Sequence, residues 1–151
     1  MGALQPASLQ TLDIPSEFDR THVFNVIGSF DLGLNWRVGA RFAFYTGRPY
    51  TQQLTIARGG AGAFGLSTIP VPPFNSERMP AFYRLDLRIE KRWRVFKTGW
   101  VAFVIEGMNV TLSKEAITMQ WEPTAPWQLA TCTPQYIGPV AIPSIGAEGS
   151  L

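Results

Sequence analysis

The segment Gly60-Ala61-Gly62-Ala63-Phe64-Gly65 has the G-x-G-x-x-G spacing of a dinucleotide-binding turn. In such a turn the glycines let the backbone approach a pyrophosphate, and a helix begins there so that its N-terminal amides face the phosphates. Pro70, Pro72 and Pro73 follow instead, and this density of proline is incompatible with a helix. The sequence therefore favours a glycine-rich loop over a nucleotide site.

Asp86 and Glu90 are the carboxylates whose spacing most resembles an acid–base pair. On a strand, residues four apart share a face, and their Cα atoms lie about 13 Å apart. Glycosidases place their two carboxyl groups roughly 5–9.5 Å apart. Arg84, Arg88 and Arg92 alternate with the two acids on the same face. The pattern thus predicts a self-neutralising ladder of charges and not a catalytic pair.

Metal and nucleophile chemistry lack the residues they need. His22 is the only histidine and Cys132 the only cysteine. One histidine without a second strong ligand nearby builds neither a metal centre nor a catalytic triad. A single cysteine forms no internal disulfide and no cysteine-based metal site. We expect no enzymatic activity, no metal and no cofactor.

Trp121 and Trp127 are the residues best suited to contact a ligand. They lie in a long segment predicted to be a loop, and loops carried on a rigid scaffold often bind ligands. Flat aromatic rings would suit a carbohydrate, among other ligands.

Composition points to a β-protein with a large apolar surface. The 151 residues include 13 basic and 11 acidic side chains, so the net charge of +2 does not indicate nucleic-acid binding. Charged residues make up 16% and aromatic residues 13%, with 14 glycines and 12 prolines. No apolar run is long enough for a transmembrane helix. Residues 1–13 lack the pattern of a secretory signal, so we expect an outer-membrane protein with this sequence to lack its front part.

Hydrophobicity alternates with a period of two, which predicts strands. Five are expected, at Thr21–Leu32, Trp36–Tyr50, Ala81–Val95, Trp100–Leu112 and Ile137–Leu151. Short turns at 33–35 and 96–99 alternate with long loops at 51–80 and 113–136. In the first long loop, the density of glycine and proline argues against both helix and central strand. The fold class is therefore all-β, an antiparallel up-and-down meander of about five strands.

The second and third strands each have one apolar and one charged face. The apolar positions, which would face lipid in a membrane protein, are Val38, Phe42, Phe44, Leu85, Leu87 and Ile89. The opposite positions, which would face a lumen, are Arg37, Arg41, Arg84, Asp86, Arg88 and Glu90. The fourth strand is apolar on both faces at first, so its orientation stays open.

Aromatic residues gather at both ends of these strands. The candidates for membrane-interface positions are Trp36, Trp93 and Trp100 beside the short turns, and Tyr50 and Tyr83 at the other end. Two aromatic girdles, with short turns on one side and long loops on the other, are typical of a transmembrane β-barrel.

Five motifs in order along the chain resemble those of one protein family. They are the segment from Pro15 to His22, the run TGRPYT at 46–51, the strand PAFYRLDLRIEK at 80–91, the Asn109-Val110 end of the fourth strand, and Pro143-Ser144-Ile145-Gly146 in the last. Together they resemble the C-terminal five strands of a TonB-dependent outer-membrane receptor. The resemblance covers about residues 15 to 151.

The resemblance implies a barrel of about 22 strands with a plugged lumen. Such receptors take up scarce ligands of the siderophore, cobalamin or glycan class. The implied partners are outer-membrane lipid, the remaining strands and plug, the barrel assembly machinery, and the TonB system through a missing N-terminal part. Residues 1–20 would be a loop leading into the first strand, and residues 21–151 would be the barrel strands. Five strands cannot close a barrel around a plug, so this chain would not be competent alone.

One departure and one alternative stand beside this interpretation. The barrel assembly machinery reads a final strand of the kind G-x-x-apolar-x-aromatic, and Gly146, Gly149 and Leu151 fit it only in part. The alternative is a soluble or secreted β-sheet module that binds a ligand such as a carbohydrate through Trp121 and Trp127.

Overall fold

A computed structural model describes residues 14–60, 63–95 and 97–150. Most of the loop expected at residues 1–20 and the last residue, Leu151, therefore lie outside the described residues. Within the described ranges the fold is all-β and contains no helix. Accordingly, none of these residues forms a helix with the length and apolar character needed to cross a membrane.

Eleven strands follow one another along the described chain. They are β1 (Val23–Gly33), β2 (Trp36–Tyr45), β3 (Pro49–Tyr50), β4 (Gln53–Gly60), β5 (Ala63–Pro70), β6 (Glu77–Arg78), β7 (Phe82–Val95), β8 (Gly99–Met108), β9 (Glu115–Glu122), β10 (Thr131–Ile137) and β11 (Ile142–Ser150).

Five long strands form one antiparallel sheet in the order β1-β2-β7-β8-β11. Sheet order follows chain order among these strands, so the predicted five-stranded meander is confirmed. The register is continuous: Val38 opposes Ile89, which opposes Ile105, which in turn opposes Ile145. Because side chains alternate along each strand, this register gives the whole sheet two distinct faces.

The first short turn is a two-residue β-hairpin connection at Leu34 and Asn35. Their φ values are 50° and 62°. Two successive positive φ angles are the mark of a type I′ turn, whose twist matches that of the flanking strands. Asparagine adopts this conformation readily, whereas leucine does so at a steric cost.

The two segments predicted to be long loops contain strands, although none of these is a central strand of a larger sheet. The first contains the hairpin of β4 and β5, and β3 pairs with β6 around it. The second contains the hairpin of β9 and β10. The breakers are tolerated because each of these sheets has only two strands, and both are edges that accept proline. Pro70 ends β5, Pro49 begins β3, and Pro134 lies within β10.

Three predicted strand ends also need correction. The second predicted strand ends at Tyr45, because the chain leaves the sheet at Thr46 and Tyr50 belongs to β3. The fourth predicted strand ends at Met108 and is followed by Asn109 with φ 54°. The last begins at Ile142 and not Ile137.

Large apolar side chains do not form a core within the described part of the chain. The buried hydrophobic residues there are Ala43, Ala102, Val104, Ala116 and Ala130. A sandwich or a helix-covered sheet of this size would bury leucine, isoleucine or phenylalanine between its layers. The five-stranded sheet is thus a single layer, and the described strands add no second sheet on either of its faces.

Close backbone packing fixes the point where the chain leaves the sheet. A Cβ atom on Gly47 would lie 1.8 Å from the carbonyl oxygen of Met79, whereas one on Gly28, within β1, would meet nothing within 4 Å. We expect Gly47→Ala to lower the free energy of unfolding by about 2 kcal/mol or more, since backbone must move. Gly28→Ala is the matched control and should change it by less than about 1 kcal/mol. Denaturant unfolding measures both, and equal effects would contradict the described packing.

Candidate functional site

One face of the five-stranded sheet is apolar and exposed. Residues between 36% and 72% exposed on this face are Phe24, Val26, Phe30, Trp36, Phe42, Tyr83, Leu87, Ile89, Trp93, Val101, Phe103, Ile105 and Ile145. We call this the apolar face. All six residues predicted to face lipid lie on it, and Val38, Phe44 and Leu85 are its half-buried members.

The register settles the orientation of β8. Val101, Phe103 and Ile105 oppose Trp93, Lys91 and Ile89, so they belong to the apolar face. The alternate residues of β8 lie on the other side of the sheet, where Ala102 and Val104 are buried.

The opposite face, here called the charged face, carries all six residues predicted to face a lumen. Arg88 is the centre of its ion pairs, with contacts to Glu106, to Glu148 at 2.7 Å and to Glu90 at 3.3 Å. Arg92 contacts the other oxygen of Glu90 at 2.7 Å. The Glu90 side chain is only 6% exposed and is neutralised from two sides. Such a network holds three strands together by charge-assisted hydrogen bonds.

Small side chains make this network possible. Val104 lies between Glu90 and Gly146 in the register, and Ala102 opposes Arg92 and Glu148. With short side chains on β8, the Arg88 guanidinium spans from β7 over β8 to reach Glu148 on β11. Sequence reasoning missed this role of Glu148, because only the strand register shows that it faces Arg88.

The remaining predicted charges are paired less completely. Arg37 binds Asp31 across the strands at 2.8 Å. Arg84 Nε lies 3.1 Å from Asp86 Oδ1, close enough for an ion pair, yet this buried nitrogen has no aligned hydrogen-bond partner among the described residues. Asp86 instead accepts the backbone N–H of Asn109 at 2.9 Å, which ties β7 to the end of β8.

The predicted interface aromatics separate into two groups. Trp36, Trp93 and Tyr83 lie on the apolar face. Trp100 lies on the charged face, where the Arg92 guanidinium sits 4.1 Å from its ring centroid. The sequence left the orientation of this strand open, and the register of β8 puts its even-numbered residues on the charged face.

Tyr50 also departs from the predicted girdle. It lies in β3, outside the five-stranded sheet, and its ring packs against Trp121 at 5.8 Å between centroids. Its hydroxyl lies 3.8 Å from the Cys132 sulfur. Burial, together with this hydrogen bond, raises the pKa of Tyr50 to about 12.

The hairpins β4–β5 and β9–β10 are joined into one unit, which we call the hairpin cap. Thr55 in β4 is the junction and is fully buried. Its N–H donates to Gln128 at 2.8 Å, and its carbonyl accepts from Trp127 at 2.7 Å. The Thr55 hydroxyl accepts the backbone N–H of Thr124 at 3.0 Å. Two segments that the sequence presents as separate loops are therefore clamped together.

Trp127 is presented on a strained turn of the hairpin cap. In the turn Ala125-Pro126-Trp127-Gln128, the N–H of Gln128 donates to Ala125 at 3.2 Å. Trp127 occupies the third position with φ 66°, where a turn with proline second normally has glycine or asparagine. Its side chain is 74% exposed. Of the two predicted ligand contacts, Trp127 is thus available to a ligand, while Trp121 is half-buried against Tyr50.

The described residues include no group of three histidine, cysteine, aspartate or glutamate side chains placed to hold a metal ion.

Comparison with known proteins found no matching family model, curated protein or solved structure.

The junction at Thr55 can be tested without touching the sheet. Thr55→Val removes the hydroxyl that binds Thr124 but keeps the size and branching of the side chain. We expect amide hydrogen exchange at Thr124 to become at least tenfold faster, because its N–H loses its acceptor, whereas the Trp127 N–H keeps the Thr55 carbonyl as its acceptor. Thr68 is the control, since it opposes Thr55 in the same hairpin and its side chain is half-buried. Equal acceleration by Thr68→Val would contradict the clamp.

Proposed function

We propose that this chain forms part of the wall of a bacterial outer-membrane β-barrel of the TonB-dependent receptor kind. Such a protein takes up a scarce ligand of the siderophore, cobalamin or glycan class. The observation that carries the proposal is the two-faced sheet, whose apolar face is exposed across five strands while its charged face holds an ion-pair network. This division corresponds to lipid on one side and a polar lumen on the other.

The free energy of the apolar face favours a lipid environment. Full burial of a large apolar side chain contributes about 1.5–3 kcal/mol. The partly exposed residues of the apolar face together represent on the order of 10–20 kcal/mol that is gained only when something apolar covers them. Monomeric soluble proteins rarely leave so large a continuous apolar patch in water.

The dimensions of the apolar face suit a bilayer. Tyr83 and Trp93 mark its two ends on β7 and are ten residues apart. Ten strand residues extend about 33 Å, and a tilt of roughly 40° reduces this to about 25 Å along the membrane normal. That distance equals the height of the apolar band between the aromatic girdles of outer-membrane barrels.

The sheet edges support membership of a larger assembly. Within the described chain, the outer edges of β1 and β11 pair with no further strand of the sheet. Hydrocarbon offers these backbone groups no hydrogen-bond partners, so further strands must cover both edges in a membrane. Neighbouring strands of the sheet alternate in direction, so the first and the fifth strand, β1 and β11, run in the same direction. A closed, fully antiparallel barrel therefore needs an odd number of additional strands.

The hairpin cap would then lie on the extracellular side, because it is formed by the long connections between the sheet strands and not by the short turns. Trp127 is the side chain there that we assign to ligand contact. Its exposure also favours the second candidate function, a soluble or secreted sheet that binds a carbohydrate. The two candidate functions differ in what covers the apolar face of the sheet, because only the membrane protein needs lipid there.

A pair of substitutions on opposite faces tests the membrane proposal. Leu87 and Ser144 are both exposed, but Leu87 lies near the middle of the apolar face and Ser144 lies on the charged face. In the full-length natural protein folded into lipid vesicles, Leu87→Arg should lower the free energy of unfolding by about 2–4 kcal/mol. Ser144→Arg should lower it by less than about 1 kcal/mol.

The soluble alternative predicts a different outcome for the same pair. In water, arginine at either exposed position costs little, and the two variants would unfold alike in plain buffer. Similar small losses for both, in a protein that stays monomeric without detergent, would overturn the membrane proposal.

A further inference from the structure

Lys91 is the one charged residue on the apolar face of the described sheet. It lies on β7, and its cross-strand neighbours are Trp36 on β2 and Phe103 on β8. The next residue of β7 on the same face is Trp93, which is 48% exposed. A charge among apolar side chains is costly in hydrocarbon, so its position on this face needs a physical reason.

The Lys91 side chain extends toward the short-turn end of the sheet. Its ammonium donates to the carbonyl oxygen of Leu34 at 2.5 Å, and Leu34 is in the turn between β1 and β2. The same ammonium lies 4.9 Å from the centroid of the Trp36 ring. The aliphatic stem therefore remains on the apolar face while the charge reaches its border, as lysine does when it snorkels to a membrane interface.

The Lys91 ammonium has unused N–H donors, and no carboxylate among the described residues pairs with it. Lysine offers three N–H donors, and Leu34 uses one. Asp31 and Glu90, on the neighbouring strands, belong to the charged face and are bound by Arg37, Arg88 and Arg92. Within the described residues, no salt bridge neutralises Lys91, so this border of the apolar face has an uncompensated positive charge.

We propose that Lys91, flanked by Trp36 and Trp93, binds the phosphate of an anionic phospholipid headgroup on the short-turn side of the membrane. The inference rests on the proposed membrane location. The tryptophan rings occupy the headgroup level, the apolar face contacts the acyl chains, and the ammonium binds the phosphate oxygens. The contact fixes the depth at which this part of the sheet sits.

Lipid-selective quenching of tryptophan fluorescence tests this inference. The full-length protein is reconstituted into mixed phosphatidylglycerol and phosphatidylcholine vesicles, with the acyl chains of one lipid brominated at a time. A basic residue at the headgroup level should give about a fivefold preference for phosphatidylglycerol at low salt. Lys91→Gln should remove most of that preference, and Lys97→Gln should reduce it much less, since Lys97 lies exposed in the neighbouring turn and not on the apolar face.

The possible results distinguish failure of the proposed headgroup site from failure of the proposed membrane location. Quenching by both lipids without a preference, or a preference that Lys91→Gln leaves intact, overturns the headgroup site but not the membrane location. An equal loss in Lys97→Gln also overturns it, because general charge would then explain the preference. The absence of quenching by either lipid overturns the membrane location as well.

Discussion

The free-energy cost of leaving a continuous apolar face in water is the constraint on which this structure depends. Strand alternation and a continuous register collect the apolar residues of five strands on one side. Nothing among the described residues covers them, and the largest fully buried side chain is Thr55, outside the sheet. The fold therefore lacks the second layer that supplies most of the stability of a soluble β-domain. In the proposed membrane protein, the hydrophobic free energy comes from contact of the apolar face with lipid.

The charged face joins strands β7, β8 and β11 through ion pairs. Arg88 binds carboxylates on three strands, and the small residues of β8 leave room for its side chain. A water-filled or plugged lumen tolerates such groups, whereas a dry protein core penalises them. The two faces thus make opposite demands on their surroundings, and a barrel wall meets both.

Much of the sheet could be predicted from the sequence. Strict alternation in β2 and β7 determined both faces, because a period of two leaves no other arrangement for residues such as Leu85 and Arg84. The orientation of β8 could not be predicted, since Trp100 to Ile105 is apolar on both faces. Its register with β7 decides the orientation and places Trp100 on the charged face.

The hairpin cap was missed for a different physical reason. Glycine and proline argue against helices and central strands, whereas both strands of a two-stranded hairpin are edges that accept these residues. The junction at Thr55 and the contacts of Glu148 join residues far apart in the chain, so no local sequence pattern predicts them. The separation of Trp121 from Trp127 follows from the same long-range packing, because Tyr50 covers only the first.

We propose that the apolar face contacts lipid and that the charged face does not. Ile145 and Ser144 are adjacent in β11, both exposed, and on opposite faces. Spin labels at each position, in a Cys132→Ser background of the full-length protein in bilayers, report collisions with oxygen and with a water-soluble nickel complex. The label at Ile145 should meet oxygen and exclude nickel, while the label at Ser144 should show no such preference. Nickel access to both positions alike would contradict the account.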